Sequence, residues 1–161
     1  MIKKTDPSLV QLEPEFIAAI VDIFENKVVF NRTLGLKALT TSATEVTATI
    51  AMRPELVGHY AYNRVHGGVI SASLDTIGGH AVMAAMGARH IDEPMAKRLE
   101  RFNKLGTIDL RIDYLRPAIG EVFTMRGQVL RLGSRVASTR MEFFGADGTL
   151  LSTGAGAYIV S

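Results

Sequence analysis

The sequence predicts an α+β fold in which a curved antiparallel sheet wraps around one long central helix. Three observations lead there. Residues 68–86 keep an apolar helical period longer than any other in the chain; everything after residue 106 alternates like strand; and no β-α-β alternation is present. The turns after residue 106 are too short for parallel crossovers, which need about a dozen residues or more.

Taken in order, Pro14 stands where a helix can begin, because its missing N–H would have no partner there. Phe16, Ile17, Ile20, Ile23 and Phe24 follow at helical spacing, which predicts a short amphipathic helix over about residues 14–26. From Asn31 to Pro54, two runs rich in Thr, Val, Ile and Leu predict two strands in a hairpin; in the second, Val46, Ala48, Ile50 and Met52 alternate against Glu45, Thr47 and Thr49. Residues 55–65 show no clean period and read as a loop. The central helix, over about 67–87, carries the stripe Val69, Ile70, Leu74, Ile77 and Ala81 and is roughly 30 Å long. A charged connector follows, in which Lys97, Arg98, Arg101 and Lys104 face only Glu100; it reads as a solvated helical face. Ile108, Leu110, Ile112 and Tyr114 then alternate with Asp109, Arg111 and Asp113, and further strands are expected at 121–132, 134–144 and 149–160, separated by "RLGSR" and "ADGT".

Composition restricts the function. The 161 residues, 47% hydrophobic and 21% charged, suit one domain over 1–161. With no cysteine, disulfides, thiolate metal sites and cysteine nucleophiles are excluded. The formal charge of +2 is scattered, which disfavours nucleic acid. The start, "MIKKTDPSLVQLEPEF", has no signal-type apolar run, and eighteen consecutive apolar residues occur nowhere, so a cytoplasmic protein without a membrane partner is expected.

The chemistry concentrates in "HGGVISASLD", His66 to Asp75. At the start of a helix the first N–H groups lack intrahelical partners and lie at the positive end of the macrodipole, while Gly67 and Gly68 allow close approach; the result is an oxyanion site. Asp75 lies off the apolar stripe, near Ser71, Gly78, Gly79 and Val82. Each helical glycine costs roughly 1 kcal/mol against alanine, so something must approach Gly78 and Gly79 closely, either another protomer's backbone or a thin ligand. Oxyanion donors plus a carboxylate suit acyl transfer to water, yet His66 and Asp75 are about 13 Å apart along one helix. Two antiparallel helices in a symmetric dimer would bring them together. A satisfied helical carboxylate beside a tight turn accounts for the same residues. A metal site from His59, His66, Asp75 and His80 is disfavoured by its spacing.

With "GTIDLRIDYLRPA" and the three closing strands, this motif makes residues 28–160 resemble the hotdog-fold thioesterases of the PaaI-like group. "VGHYAYNRVHGGVI", "LGTIDLRIDYLRP" and "VLRLGSRVASTRMEF" resemble more narrowly the YigI-type medium- and long-chain acyl-CoA thioesterases. The resemblance implies an acyl-CoA substrate, no cofactor beyond the CoA of the substrate, no metal, and a homodimer or a dimer of dimers. It implies that the Gly67 N–H polarises the thioester carbonyl, that Gly68 supports the turn, and that His66 orients substrate or loop. Asp75 of the facing subunit would be general base or nucleophile, with Thr107 near the catalytic water. Several relatives carry an asparagine six residues before the histidine; here Tyr60 stands there, and His59 or Asn63 could substitute. For the CoA phosphates two sets of cations come into question: Arg116, Arg131 and Arg135, or Arg89 with Lys97 to Lys104. Met83, Met86 and Phe102 are candidates to close the acyl tunnel. A non-catalytic acyl-CoA or fatty-acid binding protein is the alternative on the same fold.

Overall fold

The computed structural model describes residues 10–161; the N-terminal stretch read for a signal segment lies partly outside the described residues, at 1–9. Helix α1 spans Pro14–Asp22 and runs on as a wide π turn over Ile23–Lys27, close to the expected extent, with Phe16, Ile20 and Phe24 buried.

The beginning of the expected hairpin is instead a helix, α2, Val29–Leu34, before β1, Lys37–Thr41, and β2, Glu45–Ala51. Buried Asn31 explains the difference. Its Nδ2 donates to the Phe24 carbonyl at 2.8 Å, and its Oδ1 accepts from Thr76 at 3.0 Å. Gly35, in the left-handed region at φ +75°, then ends the helix. The segment read as a loop holds a 3-10 turn, Pro54–Leu56, and the small antiparallel pair β3, Val57–His59, with β4, Arg64–Val65.

Helix α3, Gly67–Arg89, is the central helix. By length and composition it could cross a membrane, but 67% of its most apolar window is buried inside this fold. The remaining elements are α4, Met95–Glu100, a 3-10 turn over Arg101–Lys104, β5, Gly106–Tyr114, β6, Val122–Leu132, β7, Val136–Gly145, and β8, Leu150–Ile159. Six strands form one sheet in the order β1-β2-β6-β7-β8-β5, every pair antiparallel.

Leu74 and Ile77 of α3 are fully buried with Val46, Met125, Met141 and Phe143 from the sheet; each such side chain contributes about 1.5–3 kcal/mol through removal from water. Helix and sheet approach so closely that a Cβ at Gly127 would sit 2.7 Å from the Ile77 carbonyl oxygen. Gly87 plays the same part toward α1, since a Cβ there would meet the Phe16 ring at 2.2 Å. Gly87→Ala is therefore expected to lower stability by about 1–3 kcal/mol through overpacking, read as a lower urea midpoint, although alanine is the better helix former.

Lys97, Glu100 and Lys104 of the connector are exposed, as a solvated face requires, but Arg98 is not. Arg98 is only 2% exposed; it holds Glu13 through its two terminal guanidinium nitrogens at 2.8 to 3.0 Å and lies 3.9 Å over the Phe16 ring. This bond to Arg98 keeps the Glu13 carboxyl below its ordinary pKa. A buried guanidinium is tolerated because it is paired and stacked. Arg101 is likewise bound to Glu93.

Candidate active site

The β3–β4 pair lies directly on the turn that starts α3. A Cβ on Gly58 would come within 2.5 Å of the His66 Cα, and the His66 N–H donates to the Leu56 carbonyl at 2.8 Å. Fixed in this way, His66 is the N-cap residue: its Nδ1 accepts the Gly68 N–H at 2.8 Å, while its carbonyl accepts the Val69 and Ile70 N–H groups. A ring nitrogen that accepts places the proton of the neutral imidazole on Nε2. Of the several amides expected to be open, Gly68, Val69 and Ile70 are thus occupied. The Gly67 N–H alone among them has no acceptor within the chain among the described residues. Tyr114 secures the same turn from β5, its hydroxyl donating to the Gly67 carbonyl at 2.9 Å.

Asp75 is half-buried, two turns along the helix. The Thr107 hydroxyl donates to its Oδ1 at 2.8 Å. A bulge between Thr107 and Asp109 makes this possible: Leu110 and Ile112 keep the inward phase of β5, but the bulge turns Ile108 outward, 55% exposed, and swings Thr107 in. The uninterrupted stripe expected from Ile108 to Tyr114 is corrected accordingly, and Tyr114 itself is half exposed against the α3 start.

The second partner of Asp75 is Tyr158 of β8, which sequence reasoning missed. Its hydroxyl lies 2.9 Å from the Asp75 backbone carbonyl and 3.2 Å from Oδ1. Burial, and then the Asp75 charge, push the phenol far above the ordinary tyrosine pKa, so it remains a donor. Gly78 makes room for it, since a Cβ there would be 2.3 Å from the Tyr158 oxygen. The neighbour inferred from the helical glycines exists at Gly78, but it is this phenol rather than a second backbone or a ligand. The available sequence signal was the pairing of "GG" in α3 with the large residue closing "GAGAY".

The other expected residues are dispersed. Asn63 is exposed in a turn at φ +47°, Tyr60 is 93% exposed, and His59 packs against the rings of Tyr60 and Tyr62. Arg116 donates to the Leu150 carbonyl at one end of β8, whereas exposed Arg131 and Arg135 flank the β6–β7 turn near the other end. A ten-residue strand separates them by about 30 Å, so these three arginines do not form one site. The alternative set does come together. Arg89, Lys97, Arg101 and Lys104 line an open cavity of about 540 Å³ with Glu100 and the Gly133–Ser134 turn, and Arg89 donates to the Leu132 and Gly133 carbonyls. Met86 borders this cavity, and it packs with Phe102, Val82 and Tyr158, while Met83 is buried. No group of three or more His, Asp or Glu side chains converges among the described residues.

Comparison with known proteins bears on this arrangement. The family model described as "Thioesterase superfamily" matches residues 62–152, which include α3 and β5 to β7. The medium/long-chain acyl-CoA thioesterases YigI of Salmonella typhimurium and Escherichia coli K12 are each 31% identical over 153 residues, 95% of this chain and 99% of theirs. A crystal structure of a Shewanella oneidensis protein related to the thioesterase superfamily superimposes with a TM-score of 0.87 at 36% identity, covering 93% of this chain and 100% of that one. On these matches, and with an open helix-start amide and a hydroxyl-bound carboxylate on one central helix, the chain belongs to the thioesterase superfamily and is a thioester hydrolase.

Proposed function

We propose that the protein hydrolyses medium- to long-chain fatty acyl-CoA to the free fatty acid and CoA, at a site completed by a second copy of the chain. The observation that carries this reading is the spacing along α3: the free Gly67 amide and the hydroxyl-bound Asp75 are eight residues, about 12 Å, apart, too far to act on one carbonyl from a single protomer. Strand β5 supports pairing, because it is an edge of the sheet, its outer backbone groups are unpaired among the described residues, and Ile108 is exposed on it. A twofold joining two β5 edges would set the α3 helices antiparallel and bring the partner's Asp75 opposite Gly67.

In this scheme the thioester carbonyl oxygen accepts the Gly67 N–H, which stabilises the charge that develops on it. The partner's Asp75 takes a proton from water as the water oxygen bonds to the carbonyl carbon. The C–S bond then breaks, and that proton reaches the departing CoA sulfur. Direct attack by Asp75, through an acyl anhydride that water opens, gives the same products. Water and the chain's own groups suffice, so no cofactor or metal enters, and the lack of cysteine fits the reducing cytoplasm. For the CoA phosphates we favour the cavity of Arg89, Lys97, Arg101 and Lys104. Chain length is supported by the relatives named medium/long-chain acyl-CoA thioesterases.

Purified protein and a panel of thioesters from acetyl- to stearoyl-CoA test the proposal, with free CoA followed by a thiol reagent. Release rising toward the octanoyl-to-palmitoyl range is the expected result; saturable binding without release of CoA would leave only the non-catalytic alternative.

A further inference from the structure

An aspartate carboxylate has two chemically equivalent oxygens, and rotation about its last torsion exchanges them, since that torsion is broad and roughly two-fold. At Asp75 the equivalence is broken. Oδ1 receives the Thr107 hydroxyl at 2.8 Å and lies 3.2 Å from the Tyr158 hydroxyl, whose single proton is shared between it and the Asp75 backbone carbonyl at 2.9 Å. Oδ2 takes no hydrogen bond from the described residues and is not one of the buried atoms without a partner, so it is the oxygen open to an incoming molecule.

The phenol is confined as well. A Cβ on Gly78 would be 2.3 Å from the Tyr158 oxygen, and a Cβ on Gly156 would be 3.1 Å from it and 2.9 Å from the ring. Two missing side chains, one on α3 and one on β8, thus form the slot that the hydroxyl occupies. Val82, Met86 and Ala137 pack with Tyr158 in one buried cluster.

We propose that Tyr158 is a positioning residue for Asp75: with Thr107 it holds one carboxylate oxygen, and so fixes the plane of the carboxylate with its other oxygen toward the reacting water or thioester. The proposal rests on the thioesterase reading of Asp75 and adds to it what orients the carboxylate. The advantage is preorganisation: a 180° flip only exchanges identical oxygens, but a carboxylate whose plane is already held needs no search for the reactive geometry.

Tyr158→Phe removes the donor and keeps the ring in its slot. We expect kcat to fall about tenfold, the scale of one hydrogen bond to a charged group, with KM and melting temperature close to wild type. In the Asp75→Asn background the same substitution is expected to have no further effect. Crystal structures of wild type and Tyr158→Phe provide a readout independent of turnover, with one setting of the Asp75 carboxylate plane expected in the first and a rotated or spread setting in the second. The proposal is overturned by an unchanged kcat in Tyr158→Phe, by an equal loss in the Asp75→Asn background, or by a single unchanged Asp75 orientation in the variant. Should wild type release no CoA from any thioester, the functional reading fails, and the two crystal structures still decide the positioning.

Discussion

Asp75→Asn is expected to lower kcat by about a thousandfold, within the range that a positioned proton acceptor contributes, while KM and the unfolding midpoint stay close to wild type. Asparagine has the same shape, and its carbonyl oxygen can still accept from Thr107 and Tyr158 at the Oδ1 position. What it lacks is the ability to take a proton or to attack as a carboxylate. The Gly67 amide would remain and support the residual rate. Steady-state kinetics with a long-chain acyl-CoA is the measurement, and a variant as fast as wild type would remove Asp75 from the chemistry. Single turnover of the wild type in isotopically labelled water separates the two routes, because only a nucleophilic Asp75 acquires the label.

The second large effect is on stability, and it concerns His80. This residue of α3 is 1% exposed, its ring centroid is 4.7 Å from that of Phe24, and its Nε2 lies 3.0 Å from the Thr41 hydroxyl, while Nδ1 is buried without a partner. Burial pushes its pKa from 6.5 down to about 4, against a smaller opposite pull from Glu25. Below about pH 6.5 the unfolded chain therefore takes up a proton at this position that the folded chain refuses. The stability linked to His80 is fully present above that pH, declines as pH falls, and levels off below about pH 4, where the folded ring also protonates. The difference amounts to about 3 kcal/mol. Urea unfolding between pH 7 and 4 is expected to show a flatter pH dependence for His80→Leu than for wild type by about this amount. The depressed carboxylates Glu13 and Glu93 add slopes of the same sign to both proteins and cancel in the comparison. Equal slopes would mean that His80 is protonated as readily inside the fold as outside it.

The parts of the fold that could be read in the sequence are those governed by one period over many residues. Helix α3 keeps its phase throughout, and the strands β6, β7 and β8 keep theirs over most of their length, with irregularities at Val129–Arg131 and Phe143–Phe144. The helix start at His66 and the open Gly67 amide were legible because local chemistry at a helix start depends on few neighbours. Features decided by distant partners were not. Helix α2 depends on Asn31 finding Phe24 and Thr76, and the inward turn of Arg98 depends on Glu13, 85 residues away. The bulge at Thr107 interrupts an alternation that reads as regular, because one additional residue in a strand leaves no compositional mark. Tyr158 looks like any core aromatic until its oxygen is placed beside Asp75, 83 residues earlier.

The strand order β7-β8-β5 has a consequence for how the protein comes into being. Strand β5 is synthesised before β6, yet among the described residues its neighbour in the sheet is β8, so within one chain it stays unpaired until β6, β7 and β8 have also been made. Thr107 and Tyr158 belong to these two strands and reach Asp75 together. A chain can therefore acquire its central helix and half its sheet while the acid is still unoriented, and the two hydroxyls that hold it arrive only with the β5–β8 pairing.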